Sequence, residues 1–434
     1  MKDSSIRPRE REAVINSLRA GVVPRQGQHL IQVGRVAELR AVLADVTLIA
    51  NGGSSFKLVI GAYGSGKSFF LQLARSVAME KKLVTMQCDL NPDRRLHATA
   101  GQARSLYTEL TRNMATRSCP DGGAMSAIVE RFVSKSMEEG EAQGIAVELI
   151  INHKLHALCE MVNGYDFANV ISQYWEGFKN NDSTTKGNVI RWLRGEFSTK
   201  TEARQLLGVR NIVDDTNYYD QLKLLSRFVR MSGYEGLLIC LDELVNIYKL
   251  HNVKARQSNY EQLLRILNDS LQGSSTGLGF ILGGTPEFLF DDRRGAHSYE
   301  ALKSRLSDNE FAREDLLDLT GPVLKLPNLS PEDLYLMLQK VRNIYSNVED
   351  LNILLPDDAI VHFLTHCSRR LGNDYYRTPR NTITSFINFL AVIEQNREKS
   401  WIEIIGSHAI SVDNEAELDL LNTEGDDELT TIRL

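Results

Sequence analysis

Cysteine is scarce in this 434-residue sequence, which contains five cysteines, an odd number, at the widely spaced positions 88, 119, 159, 240 and 367. A chain of this length buries enough apolar surface to fold without disulfides or structural metal. The paired histidines at 153 and 156 and at 362 and 366 lack the glutamate or C-x-x-C partners of zinc sites. We therefore expect no zinc centre and a reduced, cytoplasmic setting.

Long apolar runs are also missing. No stretch approaches the roughly 18 apolar residues that a membrane-spanning helix needs. The segment from Met1 to Arg11 is charged and lacks the apolar centre of a secretion signal. These two absences predict a cytoplasmic protein that does not associate with a membrane.

The chain as a whole has no strong charge of one sign, because 50 basic and 56 acidic residues leave a net charge of −6. Residues 401–434 carry nine acidic side chains and one basic side chain, so the preceding 400 residues have a net charge of +2. Overall charge therefore neither favours nor excludes a nucleic-acid partner. We interpret 401–434 as a solvated acidic tail.

Proline is missing between Pro120 and Pro286. Within this gap, residues 119–225 show helical periodicity and are predicted to form an insertion with its own small core. Five short apolar segments elsewhere alternate with helices and predict strands at 56–60, 83–90, 237–241, 278–282 and 323–326. Strands that alternate with helices form parallel sheets covered on both faces. We therefore predict an α/β fold with a five-stranded parallel sheet.

The predicted fold divides the chain into five parts. An N-terminal helical segment, with a short extended stretch at 29–33, precedes an α/β core that the insertion interrupts, and a helical lid and the acidic tail follow. The ranges are 1–50, 51–118 with 226–326, 119–225, 327–400 and 401–434. The insertion is rich in aromatic residues, and we expect it to dock a partner.

Residues 61–68 read GAYGSGKS, a complete G-x4-G-K-S pattern between a predicted strand and a predicted helix. Backbone N–H groups of such a loop surround a phosphate at the positive end of the helix. Lys67 is expected to reach the β- and γ-phosphates, and Ser68 to bind Mg²⁺. The predicted nucleotide-binding residues of this loop are Gly61, Gly64, Ser65, Gly66, Lys67, Ser68 and Phe69.

An apolar strand, Leu237 to Leu241, ends in the acid pair Asp242 and Glu243. Asp242 suits a role in holding Mg²⁺, and Glu243 suits the polarisation of an attacking water. Apolar strands often end in acids, but after a phosphate loop the pattern becomes informative. The pair favours hydrolysis over simple nucleotide storage.

Further candidate residues lie beyond the acid pair. Thr285 follows the next strand, where it either contacts the γ-phosphate or attacking water, or caps the turn before Pro286. Arg305 and Arg380 are expected to neutralise the charge that develops in phosphoryl transfer, and Arg293 and Arg294 are further candidates. A solvated surface arginine is the alternative for each.

Together these motifs resemble those of AAA+ ATPases, in the branch near the Orc/Cdc6 and STAND proteins. Residues 32–35, QVGR, resemble the adenine-side box, residues 61–68 the Walker A motif and residues 237–243 the Walker B motif. The resemblance implies nucleotide contacts from Gly34 and Arg35, and a C-terminal helical lid or winged-helix-like domain. It places Thr285, Arg305 and Arg380 at sensor 1, the arginine finger and sensor 2, and implies a homo-oligomer whose Arg305 acts in trans.

The sequence is more closely similar to the ATP-binding proteins of bacterial BREX phage-defence systems, of the BrxD type. Residues 191–196 and 233–238 carry this likeness, which extends over roughly 30–395. It implies a Mg²⁺-dependent ATPase that works with other defence proteins as a motor or switch. One departure from compact AAA+ proteins is that 175 residues separate Lys67 from Asp242.

Three functions stay open at this point: a motor or switch acting on DNA or DNA-bound partners, a nucleotide-gated assembly platform that does not touch DNA, and an Orc-like DNA loader. Local basic clusters are either DNA contacts or solvated faces. They comprise Arg94, Arg95 and Arg104, and Arg369, Arg370, Arg377 and Arg380.

Overall fold

The computed structural model describes residues 7–24, 27–311, 318–345, 355–370 and 378–407. Most of the predicted acidic tail, residues 408–434, lies outside these ranges, as does Arg377.

Five strands form one parallel sheet in the order β2-β3-β4-β1-β5. The strands are β1 (Ser54–Ile60), β2 (Leu83–Asp89), β3 (Gly236–Asp242), β4 (Leu278–Gly284) and β5 (Val323–Lys325). The predicted α/β fold with a five-stranded parallel sheet is confirmed, and the strand ends differ from the prediction by one or two residues.

Both faces of the sheet are buried, which explains why the strands read as continuous apolar runs. Alternate residues of a strand point to opposite faces. In β3, Leu237 and Ile239 belong to the larger hydrophobic core, whereas Leu238 and Cys240 belong to a smaller core on the other face. Helices therefore have to cover both faces.

Helices flank the sheet on both sides and fill the predicted insertion. Before and around the first two strands lie α1 (Pro8–Arg19), α2 (Gln28–Ile31), α3 (Val36–Ala50), α4 (Lys67–Glu80) and α5 (Gln102–Arg112). The region predicted as an insertion contains α6 (Met125–Gln143), α7 (Val147–Cys159), α8 (Gly164–Lys179), α9 (Ser183–Leu193) and α10 (Lys200–Leu207). The core continues with α11 (Tyr218–Met231), α12 (Val245–Tyr248), α13 (Val253–Leu271), α14 (Pro286–Phe290) and α15 (Glu300–Leu306).

The described C-terminal residues form four helices: α16 (Pro331–Tyr345), α17 (Asp357–Arg370), α18 (Pro379–Gln395) and α19 (Trp401–Ser407). They contain no strand after β5, so the described part of the lid is all-helical and shows no β-wing. Within the described ranges, no helix is both long and apolar enough to span a membrane.

The extended stretch predicted at 29–33 is wrong, because Gln28–Ile31 is one turn of helix. Gly27 precedes it with φ at 78°, a left-handed conformation that glycine adopts without steric cost. The buried Gln28 side chain donates a hydrogen bond to the Pro24 carbonyl at 2.7 Å and holds the turn closed. A four-residue helix is too short for hydrophobic periodicity to reveal it.

The helices of the insertion pack on one another and on the α/β core. Their buried side chains join the larger core of the sheet, where the Phe132 and Phe228 rings lie 5.1 Å apart. Trp192 is 1% exposed and donates its indole N–H to the Asn211 carbonyl. On the same helix end, the Leu193 carbonyl accepts a hydrogen bond from the Tyr107 hydroxyl of α5 at 2.8 Å. The insertion is therefore packed onto the α/β core as a second layer.

Different helices of the N-terminal segment pack on different parts of the protein. Helix α3 packs on the sheet through Val42 and Val46. Helices α1 and α2 instead pack into the lid, where Val14 and Leu18 share a hydrophobic cluster with Phe386. The first helix and the lid thus form one packed unit at the edge of the α/β core.

Candidate functional site

The glycine-rich loop connects the carboxyl end of β1 to the start of α4. Gly64 and Gly66 have φ values of 75° and 92°, a region that favours glycine. A side chain at Gly66 would meet no atom within 4 Å, so the loop opens onto free space there. A side chain at Gly61 would lie 2.5 Å from the Ser65 hydroxyl, which means that only glycine fits.

Lys67 occupies the first position of α4 and turns its ammonium group back over the loop. Its Nζ donates hydrogen bonds to the carbonyls of Gly61 at 2.9 Å and Ala62 at 3.0 Å. Burial lowers the pKa of Lys67, and the nearby carboxylates of Asp242 and Glu243 oppose that shift. The lysine is a partly desolvated cation placed at the mouth of the loop.

Ser68 and Asp242 meet across the carboxyl edge of the sheet. The Ser68 hydroxyl donates a hydrogen bond to Asp242 Oδ2 at 2.6 Å. Asp242 Oδ1 accepts one from the Glu243 N–H at 2.9 Å. Space for this carboxylate depends on Gly283 of β4, because a β-carbon there would lie 2.3 Å from Asp242 Oδ1.

Glu243 has φ at 60°, a left-handed conformation that is costly for a residue with a side chain. Asn246 donates from its side-chain amide to the Glu243 carbonyl at 3.3 Å and to the Leu90 carbonyl at 2.8 Å. Partial withdrawal from water raises the pKa of Glu243, and the negative charges of Asp242 and Asp89 raise it further. A carboxylate with a raised pKa is a better proton acceptor.

Arg35 connects the phosphate loop to the start of the lid. Its Nη2 donates to the Ser65 carbonyl at 3.2 Å and to the Pro327 carbonyl at 2.6 Å. Burial lowers the pKa of Arg35, while Glu38 and Asp333 act in the opposite direction. The adjoining Gly34, with φ at 59°, leaves room for the Asp333 carboxylate, which a β-carbon would approach within 2.7 Å.

Arg380 reaches the phosphate loop from the first turn of α18, where its Nη1 donates to the Tyr63 hydroxyl at 2.8 Å. Phe69 lies half-buried against the hydrophobic cluster of the lid. These two contacts place lid side chains directly against the loop and the helix that follows it.

A cleft of about 220 Å³ lies between the loop, the N-terminal segment and the lid. It brings together six predicted site residues with charged or polar side chains: Arg35, Ser65, Lys67, Ser68, Glu243 and Arg380. One side of the cleft is apolar and includes Val22, Val23, Ile31, Leu329, Met337 and Ile383. This wall has the character expected around a nucleotide base.

Five predicted site residues are not part of the cleft lining. Gly34, Gly61 and Asp242 adjoin residues that line it, whereas Thr285 and Arg305 make other contacts. The Thr285 hydroxyl accepts a hydrogen bond from the Phe288 N–H at 3.4 Å, which caps α14 as the alternative interpretation expected. Arg305 is exposed at the end of α15, where its Nη1 donates to the Ala301 carbonyl of its own helix. Any nucleotide contact of these two residues stays a prediction.

Sequence reasoning missed Tyr63, Gly283 and the apolar wall. Tyr63 occupies a variable position of the glycine-rich loop and Gly283 lies in β4 outside any motif, so no pattern carried a signal for them. The wall is built from segments more than 300 residues apart, Val22–Val23 and Ile383, which meet only because α1 packs on the lid.

The residues at this site fit a nucleoside triphosphate bound together with Mg²⁺. The open space at Gly66 can admit a phosphate, and the buried Ser65 hydroxyl has no hydrogen-bond partner among the described residues. Hydroxyl and carboxylate oxygens, as offered by Ser68 and Asp242, are the ligands that Mg²⁺ prefers. In the described ranges, no group of three or more His, Cys, Asp or Glu residues is placed to hold a metal alone. Bound Mg²⁺ would complete its coordination with phosphate oxygens and water.

Two arginines of the basic cluster in the core have partners within the protein. Arg94 pairs with Glu109 at 3.4 Å, and Arg104 donates to the Phe197 carbonyl at 3.4 Å. The side chains of Arg369 and Arg370 lie outside the described parts of the chain, so only Arg380 of the second cluster is placed.

The five-stranded parallel sheet, with a glycine-rich loop leading from β1 into α4, defines an α/β protein with a P-loop NTPase-type core. Residues 6–409 match the family described as BREX system ATP-binding protein BrxC/D, and the chain belongs to that family. The match includes the whole insertion and the lid. A search of curated proteins finds no matching relative.

Proposed function

We propose that the protein is a Mg²⁺-dependent ATPase. The observation that carries this proposal is the 2.6 Å hydrogen bond between Ser68 and Asp242, beside Glu243 and Lys67 at one edge of the sheet. These residues would supply a cation ligand pair, a phosphate-binding cation and a proton acceptor at one edge of the sheet, beside the cleft. Simple nucleotide storage requires no proton acceptor at that point.

Each residue would have a distinct task. Bound Mg²⁺ would neutralise phosphate charge, and Ser68 and Asp242 would hold it. The Lys67 ammonium group would give up its hydrogen bonds to the Gly61 and Ala62 carbonyls and donate to phosphate oxygens instead. Glu243 would accept a proton from the attacking water, helped by its raised pKa.

The resemblance to AAA+ proteins extends the proposal to an oligomer. Arg305 is exposed and lies away from the cleft of its own chain, which suits a residue that completes the site of a neighbouring copy. Arg380 would act on the nucleotide of its own chain, because it lines that cleft. Thr285, which follows β4, would contact the γ-phosphate or the attacking water.

Membership of a BREX family supports an ATP-binding protein that works with other defence proteins. We extend this to a motor or switch with DNA or DNA-bound partners as its target. The intramolecular partners of Arg94 and Arg104 favour a second candidate, a nucleotide-gated platform that reaches DNA only through partner proteins. An Orc-like loader would need a direct basic surface for DNA. DNA affinity that falls steeply with salt would favour the motor or the loader, whereas ATPase stimulated only by a protein partner would favour the platform.

The ATPase proposal is tested by phosphate release with Mg²⁺ and after chelation, in the parent and in Lys67→Ala. We expect turnover only with Mg²⁺, and loss of nucleotide binding in Lys67→Ala because the phosphates lose their counter-charge. Lys81→Ala, an exposed lysine just after the same helix, is the control and should bind like the parent. Parent-like binding in Lys67→Ala would contradict the proposed site.

A further inference from the structure

The phosphate loop carries a tyrosine to which the ATPase proposal assigns no role. Tyr63 occupies a variable position of the loop and is 64% exposed. Its hydroxyl accepts the 2.8 Å hydrogen bond from Arg380 Nη1, and the Arg380 guanidinium carbon lies 5.7 Å from the centre of its ring. The tyrosine therefore contacts the arginine through both its polar group and its aromatic face.

Two glycines shape this contact. A β-carbon at Gly21 would lie 2.9 Å from Arg380 Nε, so the absence of a side chain there makes room for the guanidinium. A β-carbon at Gly64 would lie 2.8 Å from Thr378 Cβ, so the loop and the start of α18 approach closely beside Tyr63. The segment after α1, the loop and the lid all meet at this point.

Arg380 has a neutral side chain as its partner, although the cleft is lined by several cationic side chains. Lys67 and Arg35 line the same cleft as Arg380. Tyr63 offers the guanidinium a neutral hydrogen-bond acceptor and an aromatic face. Unlike a carboxylate, it adds no negative charge that would repel phosphate. Hydrogen bonds from a guanidinium to phosphate are roughly twice as strong as bonds to a neutral oxygen. A phosphate can therefore displace the tyrosine, whereas it would compete poorly with a carboxylate.

We propose that Tyr63 is a positioning residue for Arg380, which it holds at the mouth of the phosphate loop until a nucleotide phosphate takes its place. This inference rests on the proposed nucleotide function of the same cleft. Arg380 provides one of the contacts between the lid and the loop, so its release from Tyr63 couples phosphate binding to lid position. Because α1 packs on the lid, the apolar wall moves with it.

The proposal makes a prediction about nucleotide affinity. A contact that holds Arg380 in the free protein lowers the apparent affinity, because only the released fraction is competent to bind phosphate. Tyr63→Phe removes the hydroxyl and keeps the ring. We expect it to tighten binding of an ATP analogue by about fivefold, which corresponds to about 1 kcal/mol at 1.4 kcal/mol per tenfold. Tyr63→Leu also removes the aromatic face and should tighten binding at least as much.

The decisive experiment is a double-mutant cycle with Arg380→Ala, read by titration of a non-hydrolysable ATP analogue with Mg²⁺. If Tyr63 acts through the arginine, Tyr63→Phe has no effect on affinity once Arg380 is alanine. Tyr165→Phe, a 73% exposed tyrosine of the insertion, is the matched control and should leave affinity unchanged. The same change of affinity in both backgrounds, or weaker binding in Tyr63→Phe, overturns the proposal.

A second measurement needs no nucleotide and separates this inference from the ATPase proposal. Hydrogen exchange of the free protein should speed up over residues 61–68 and 378–386 in Tyr63→Phe and in Arg380→Ala, with no further increase in the double variant. That result without any nucleotide binding by the parent would refute the proposed function and leave the contact established. Nucleotide binding by the parent, with exchange unchanged in either variant, would refute the role of Tyr63 alone.

Discussion

The Ser68 hydroxyl and the Asp242 carboxylate, 174 positions apart in the chain, form a 2.6 Å hydrogen bond at the edge of the sheet. The first lies on α4, directly after the phosphate loop, and the second ends β3. One strand, β4, lies between β1 and β3, and its Gly283 leaves space for the carboxylate. The long insertion leaves this hydrogen bond in place, because the insertion packs elsewhere on the core and contributes no residue to the cleft beside the loop.

Glu243→Gln should bind ATP and stop hydrolysing it. The amide cannot accept the proton of the attacking water, and general-base catalysis contributes on the order of 10²–10⁴-fold. Nucleotide titration and phosphate release on the same preparation measure the two effects separately. Glu261→Gln, at an exposed position of α13, is the control. Hydrolysis at the parent rate in Glu243→Gln would exclude it as the base.

The pH dependence of turnover should report the raised pKa of Glu243. The base works only when ionised, so activity is lost as the pH falls through a pKa that lies above the ordinary value of 4.5. Asp89→Asn removes one of the negative charges that raise this pKa, and the acidic limb of kcat should therefore move to lower pH. Asp93→Asn, an exposed acid on the same segment, should leave the limb in place. A limb that stays fixed or moves upward in Asp89→Asn would contradict this assignment.

Gly283→Ala should disturb the acid pair without touching the phosphate loop. The new methyl group would lie 2.3 Å from Asp242 Oδ1, and overpacking of this kind costs about 1–3 kcal/mol. We expect a higher Mg²⁺ requirement for turnover, measured by titrating Mg²⁺ at fixed ATP. Gly187→Ala is the control, because no atom lies within 4 Å of its added carbon. An unchanged Mg²⁺ titration would show that Asp242 does not help to hold the cation.

Arg305→Ala should bind ATP normally and hydrolyse it poorly, because the arginine would act on the nucleotide of a neighbouring copy. An arginine supplied in trans contributes on the order of 10³-fold or more to phosphoryl transfer. Mixing Arg305→Ala with Lys67→Ala should restore part of the activity, since one chain then provides the site and the other the arginine. Arg210→Ala, an exposed arginine after α10, should behave like the parent. Failure of the mixture, at concentrations where the parent oligomerises, would count against the trans role.

Trp192→Ala should destabilise the whole protein and not the insertion alone. The side chain is 1% exposed within the core that the insertion shares with the sheet, and such truncations cost about 3–5 kcal/mol. Thermal unfolding with probes in the insertion and in the core should show both transitions shifted together. Trp175→Ala, a less buried tryptophan of α8, should cost less. A shift confined to the insertion would indicate an independent folding unit.

The sequence by itself determined the features that depend on neighbouring residues. Buried strands read as apolar runs because helices cover both faces of the sheet, so all five were predictable. The glycine-rich loop is local as well, since eight consecutive residues provide its turn and its helix start. The acid pair is local as well, because Asp242 and Glu243 directly follow the apolar run of β3.

Only the tertiary structure decided which distant segments share a cleft. Val22 and Ile383 form one wall because α1 packs on α18, and hydrophobic periodicity reports that a helix has an apolar face without saying what covers it. The contact of Arg380 with Tyr63 and the space that Gly283 leaves for Asp242 depend on backbone placement, which no motif encodes. The insertion is continuous with the core of the sheet for a related reason: some of its apolar side chains pack against α11, and the others pack against one another.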